Sequence, residues 1–432
     1  MPDQEVQKLM TLVVRNCLSG NAQNVPKETI FGKLQQSRVE FAVALLQRLV
    51  EVKAQGSEVF GLLGVALDAM RDRGLTFEAA IAQEDTRYYR TVLNALFLAL
   101  QFHVERPARQ TPEISSDLTI IVEIVKVVVA QGFKTLTTYI HEDPQKCSPK
   151  DIAILTAIFQ TVLRVKNVDR IYEQLIFHIE DNDTARYATT LFSWSDQLTV
   201  DGDPIYGELS ILFLAELSTL PMLAEYLAVE SVLMNLSISQ LINVLRQPKG
   251  CSPFDPIPRI YAIWTGGVLP LCLNLLYHVT RAAPEVAAFL NQFEGQLNRA
   301  AESFSGVHAS LAISQLPKRI CLAMASEAYS LSLISFILDR YREAGPSAGL
   351  DGYAIQELKW DKTQLKEDIL DLLGRRPNLR GRIAATNDKE LEMAKQQPLN
   401  ASVSGAKNRL EEKIINELSS ALACLTGGEE TA

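Results

Sequence analysis

Histidines are the first residues to test for chemistry, because an imidazole beside an acid can hold a metal or move a proton near neutral pH. His103, His141, His178, His278 and His308 lie far apart in the chain. Two stand next to carboxylates, in His141-Glu142-Asp143 and in His178-Ile179-Glu180-Asp181. Metal binding is one reading of these clusters; a helix ending on a solvated turn is the other. His103, His178 and His278 fall within or at the ends of apolar stretches, where a hydrogen-bonded core or interface histidine is the ordinary outcome. Asp181-Asn182-Asp183 and Asp201-Gly202-Asp203 resemble pieces of a calcium loop, but neither continues with the ligands such a loop needs, so both read as capped turns. The six cysteines (Cys17, Cys147, Cys251, Cys272, Cys321, Cys424) include no close pair. That spacing suits neither a disulfide framework nor a zinc knuckle, and it points to a reducing, intracellular compartment. The chain has no Gly-rich phosphate loop, no GxSxG elbow, no HExxH and no CxxC. The expectation is no catalytic residue, no cofactor and no metal.

Binding is the better prospect. Ser252-Pro253-Phe254-Asp255-Pro256-Ile257-Pro258 is stiffened by its prolines and holds Phe254 and Ile257 in irregular backbone. Tyr353 to Trp360 leads into a helix carrying Leu365, Ile369, Leu372 and Leu373. Either segment tucks back onto the fold, or it forms a groove for an amphipathic helix of another protein. The candidate partner-binding residues are Phe254, Ile257, Tyr353, Trp360, Leu365 and Ile369. A single Phe-Gly dipeptide, Phe31-Gly32, carries no weight. The net charge of −9 argues against a general nucleic-acid binder, which needs a basic face. The one basic run, Gly374 to Arg382, is flanked by Asp368, Asp371 and Asp388 and reads as a solvated loop.

The elements that must position these residues are helices. Ser148-Pro149-Lys150-Asp151 combines an N-cap serine, an early proline and a carboxylate that completes a capping box, and it opens Ile152–Val165. Asp203-Pro204 does the same for a helix through Ile211 and Leu214, and Asp117 precedes Leu118–Ala130. Ser237-Ile238-Ser239-Gln240 and Asn387-Asp388-Lys389-Glu390 are capping-box-like, and Thr219-Leu220-Pro221 is a weaker start signal. Between the breaks, apolar residues recur at helical spacing. Leu410, Ile414, Leu418, Ala421, Leu422 and Leu425 form one stripe, with Glu411, Glu412 and Glu417 off it. Tyr88–Val104, Ser231–Leu245 and Arg319–Arg340 are apolar on most sides, as helices packed between two layers must be. Leu118–Val129 has the β-branched density of a strand, but its length and the Glu123/Lys126 spacing favour a buried helix. Gly61-Leu62-Leu63-Gly64 sits in a helical pattern and reads as a close-packing site.

Ile260 to Val279 carries no formal charge and is long enough to cross a bilayer. Gly266-Gly267, Pro270, Asn274 and His278 favour instead a buried helix, or two short helices broken at the glycines, with no membrane insertion. The N-terminus lacks the pattern of a signal peptide and reads as a start inside a longer protein.

The chain is predicted to form roughly 17 to 20 helices joined by short connections. Residues 1–425 read as one continuous solenoid and residues 426–432 as a short flexible tail. The fold class is all-α, an irregular armadillo/HEAT-like solenoid of stacked antiparallel helix pairs, with a compact multi-helix bundle as the other possibility. Globular cores stop growing at about 250–300 residues, which favours the stack.

Asp351–Ile383 (DGYAIQELKWDKTQLKEDILDLLGRRPNLRGRI) and Arg409–Leu422 (RLEEKIINELSSAL) resemble the C-terminal tail of the large inner-ring scaffold nucleoporins of fungi. That resemblance implies a superhelical stack without enzymatic activity, at the nuclear pore complex of the nuclear envelope. It also implies partners: other nucleoporins, in particular an amphipathic helix of a linker nucleoporin, and transport factors or Phe-Gly repeats. A helical subunit of a vesicle-tethering or coat complex, and an all-helical enzyme with a site assembled from distant residues, remain the alternatives.

Overall fold

The computed structural model describes residues 4–19, 28–71, 74–104, 114–306, 318–345, 354–400 and 405–427. Residues 428–432, most of the expected tail, lie outside the described residues. Among the described residues the secondary structure is helical, apart from two isolated bridges, Val200 with Asp203 and Ile320 with Ile383. Two compact units emerge, Met1–Thr190 and Leu191–Ala432, at a point that no linker composition marks.

In the first unit four long helices pack in succession. Gln4–Leu18 lies on Ile30–Glu51, that helix on Thr86–Val104, and Thr86–Val104 on Pro149–Leu163. Thr86–Val104 is covered on both sides, which is why Val92, Leu93, Leu96 and Leu100 are all buried and its sequence is apolar nearly all round. The expected capping box is present: Ser148 Oγ accepts from Lys150 N, and Asp151 accepts from Ser148 N. Leu118–Val129 is helical, within a continuous run from Ile114 to Glu142 whose centre, Val125–Ala130, widens into a π-helix. Val125, Val128 and Val129 are buried there, so packing on several sides overrides the strand preference of the sequence. The helix begins at Ile114, which places Asp117 in its first turn and not at the cap.

The second unit repeats the succession. Ile205–Leu217 packs on Arg259–His278, that rod on Leu322–Ala344, and Leu322–Ala344 on Arg409–Leu425. Arg259–His278 is not broken at its glycines. It runs through a π-helical turn, Trp264–Val268, and continues. Gly267 faces Ile211 so closely that a Cβ would stand 2.3 Å from the Ile211 methyl. Ser231–Leu245, expected as one helix, is two, Val232–Ser237 and Gln240–Leu245, because Ser239 caps the second. The helix expected at Arg319 starts at Leu322, because Ile320 pairs with the backbone at Arg382 and Ala384.

Three polar readings change in this unit. Asp203 does not cap the helix that starts at Ile205; Asp203 pairs with Arg259. The basic run is no solvated loop: Arg376–Arg382 is helical, Arg380 pairs with Glu411 at 2.7 Å, and buried Arg382 donates to the carbonyls of Ser303, Phe304 and Lys318. Glu411 and Glu412, expected off the buried stripe, are buried, and they accept from the backbone N–H groups of Lys407, Leu399 and Asn400. A carboxylate can be interior when such donors replace its water.

Candidate partner-binding groove

In the second unit, the turn before the Ile205–Leu217 helix and the proline-rich loop face each other across a groove of about 610 Å³. Its first wall is a tight hairpin. Val200 and Asp203 exchange both backbone hydrogen bonds, and Asp201 and Gly202 have φ of +52° and +78°. An Asp-Gly pair suits such a turn, since both central residues need positive φ. This explains Asp201-Gly202-Asp203 without calcium. Asp203 and Glu208 then grip the Arg259 guanidinium, Asp203 at 2.5 Å.

The second wall is the loop Pro253–Pro258. Asp255 accepts from Ser252 N at 2.7 Å, folding the loop on itself, while Pro253, Pro256 and Pro258 restrict its backbone. Ile257 lines the groove and is 55% exposed. Phe254 is half-buried beneath the Arg319 guanidinium, 4.4 Å from its ring centroid, and does not line the groove. Tyr261, Thr265, Ala323 and Asn387 complete the floor and far side.

What holds the loop in place is buried. Gln296 accepts from Cys251 N at 2.6 Å and donates to Cys251 O at 3.3 Å. Its amide also donates to Glu327, 2.7 Å away. Glu327 is 1% exposed and accepts from Tyr261 Oη at 2.7 Å and Trp264 Nε1 at 2.8 Å, as well as from Arg299. Burial, then the Glu327 charge, holds the Tyr261 hydroxyl well above its usual value. Burial works against the Arg299 charge, but Glu327 and Tyr261 beside it leave that pKa raised overall. Gly250 takes φ of +61° beside Gln296, and a Cβ on Gly295 would collide with Gln247 O at 2.3 Å. Close approach of loop and helix therefore requires both glycines.

The other expected docking residues are placed differently. Trp360 is buried and donates from Nε1 to Ser335 Oγ at 3.1 Å, and Leu365 and Ile369 are fully buried core residues. Their apolar surface is already covered by this chain, notably by the Arg409–Leu425 helix against Lys362–Gly374. Tyr353 lies outside the described residues. The sequence reading missed Asp203, Glu208 and Arg259; the available signals were an Asp-Gly dipeptide and an arginine at the head of an otherwise uncharged segment.

Local hydrogen bonds or burial occupy four of the chemically reactive side chains. His103 is buried with Nε2 3.2 Å from Phe60 O, and His141 Nδ1 is 2.8 Å from Thr137 O within its own helix. Burial pushes the Cys321 thiol up to about 11 and Cys147 up to about 12, so neither is a thiolate at neutral pH. No group of three or more His, Cys, Asp or Glu residues suited to a metal occurs among the described residues.

Residues 62–425 match the family described as "Nuclear pore protein NUP188 C-terminal domain". Nucleoporin NUP188 of Chaetomium thermophilum is 31% identical over 459 residues, 97% of this chain and 24% of that protein. Nucleoporin nup184 of Schizosaccharomyces pombe is 24% identical over 60% of this chain and 16% of its own length. The chain thus spans about a quarter or less of the length of these curated relatives. The solved structure Nup188(aa1445-1827) from Myceliophthora thermophila superposes with a TM-score of 0.72 at 30% identity, covering 86% of this chain and 99% of that one. The resemblance in Asp351–Ile383 and Arg409–Leu422 extends over 97% of the chain, and the fold class is the expected all-α solenoid. The chain belongs to the NUP188 nucleoporin family, as a form of its C-terminal domain.

Proposed function

We propose that this chain is a non-enzymatic structural segment of the nuclear pore complex, and that the groove beside Ile257 docks the apolar face of a helix from a linker nucleoporin. The observation behind the docking site is a large aliphatic side chain held in solvent by a loop that is rigid on both sides. An immobilised loop loses little entropy on binding, so burying Ile257 translates into affinity. Asp203, Glu208 and Arg259 supply a polar edge that can fix the helix register. Other nucleoporins are the partners of this reading, with transport factors or Phe-Gly repeats as further contacts.

Affinity capture from cell extract tests both parts. The intact chain should recover nucleoporins, and recovery of vesicle-tether subunits without pore proteins would reject the assignment. Ile257→Asp should weaken capture of the linker nucleoporin at least about tenfold, roughly 1.4 kcal/mol, without lowering thermal stability, since the side chain is exposed. Undiminished capture by this variant would eliminate the groove while leaving the pore assignment standing.

A further inference from the structure

A second pocket lies wholly in the first unit and has no part in the groove described above. It encloses about 290 Å³ between the end of the Ile30–Glu51 helix, Phe60, the C-terminal turns of Thr86–Val104 and the end of Pro149–Leu163. Phe60, Phe97 and Phe102 provide aromatic walls, with Val50, Ala54 and Ala157 completing the apolar surface. Binding cavities for whole small molecules run to about 300–1,000 Å³, so this one suits a single large side chain.

Charge makes the pocket unusual for this chain. Although the protein carries a net −9, the lining contains two cations, Lys53 and Arg164, and no carboxylate. Lys53 and Arg164 each follow the C-terminus of a helix, whose partial negative charge is felt only within its last turn. Their long stems carry full charges past that turn to the exposed rim. Lys53 also holds a left-handed backbone, with φ of +51°, which non-glycine residues seldom adopt.

We propose that this pocket takes one aromatic side chain of an acidic peptide segment. The ring stacks among Phe60, Phe97 and Phe102, and carboxylates on either side meet Lys53 and Arg164. Cations at the rim of an apolar cavity select for flanking acids and speed encounter, while the cavity selects for the ring.

Fluorescence anisotropy with the full chain tests this, using a labelled synthetic peptide that has one central tryptophan flanked by glutamates. Saturable binding is expected, weakening as salt rises. The double variant Lys53→Asp/Arg164→Glu should weaken it at least about tenfold. Aspartate is chosen at position 53 because it tolerates the left-handed backbone. Replacing the peptide's tryptophan by alanine, or its glutamates by glutamines, should each cost a similar factor. Absence of saturable binding, or binding that survives any of these three changes, overturns the proposal. The two peptide changes retain that power even if the protein variant melts at a lower temperature.

Discussion

Glu327 shows how differently two carboxylates of one chain can be worth. It is buried and takes hydrogen bonds from Tyr261, Trp264, Gln296 and Arg299, so its removal strands a nearly buried guanidinium. Breaking such a buried pair costs about 3–5 kcal/mol, because the remaining charge has lost both water and partner. Glu40 also pairs with an arginine, Arg87 at 2.7 Å, but in solvent, where a pair contributes about 0–1 kcal/mol. Chemical denaturation should therefore show a large loss for Glu327→Ala and almost none for Glu40→Ala. Equal losses would mean that the network does not hold the second unit together. Neither ranking was legible in the sequence: Glu327 is the one acid between Ile320 and Leu338, but nothing near it names Tyr261, Trp264, Gln296 and Arg299 as its partners. The N-cap at Ser148 was legible, because a capping box is written within four consecutive residues. The bond between Asp151 and Arg90, at 2.6 Å, was not, because it joins residues 61 apart.

At the scale of the element, helix existence followed from periodicity, whereas helix irregularity did not. The Gly266-Gly267 pair left open a buried helix or a break; the rod continues through a π turn, and the two glycines have different surroundings. A Cβ at Gly266 would meet only Leu212 at 3.8 Å, while one at Gly267 would overlap Ile211. Gly266→Ala should then be neutral or stabilise by up to about 1 kcal/mol through helix propensity. Gly267→Ala should destabilise by about 1–3 kcal/mol, the usual range for overpacking a filled core. Denaturation midpoints that failed to separate the two variants would refute this packing of Arg259–His278 on Ile205–Leu217. The docking residues divide in the same way. Trp360, Leu365 and Ile369 read as a binding stripe because an apolar helix face looks the same in sequence whether a foreign helix or a neighbouring one covers it.

At the scale of the molecule, two helical rods among the described residues, Arg259–His278 and Leu322–Ala344, are long and apolar enough to cross a membrane. Each packs on several neighbours in the second unit: Arg259–His278 on Ile205–Leu217, Pro221–Val229 and Leu322–Ala344, and Leu322–Ala344 in turn on Arg409–Leu425. Leu322–Ala344 also contributes the buried charge of Glu327. An unpaired charge at that depth would be costly in lipid, whereas Arg299 and three neutral donors satisfy it inside the protein. Expressed in cells and extracted with alkaline carbonate, the chain should stay in the supernatant. Retention in the membrane pellet would contradict the assignment of both rods to the core.

Taken alone, the sequence determined the helical class, the helix caps at Ser148, Ser239 and Asn387 and the absence of familiar catalytic motifs, since these depend on residues a few positions apart. Tertiary structure decided which apolar faces are used up and which remain open, that Arg380 and Arg382 bind inward, and that Gln296 fastens the loop presenting Ile257. Those outcomes depend on contacts between segments tens of residues apart, and local spacing carries no record of which surfaces meet.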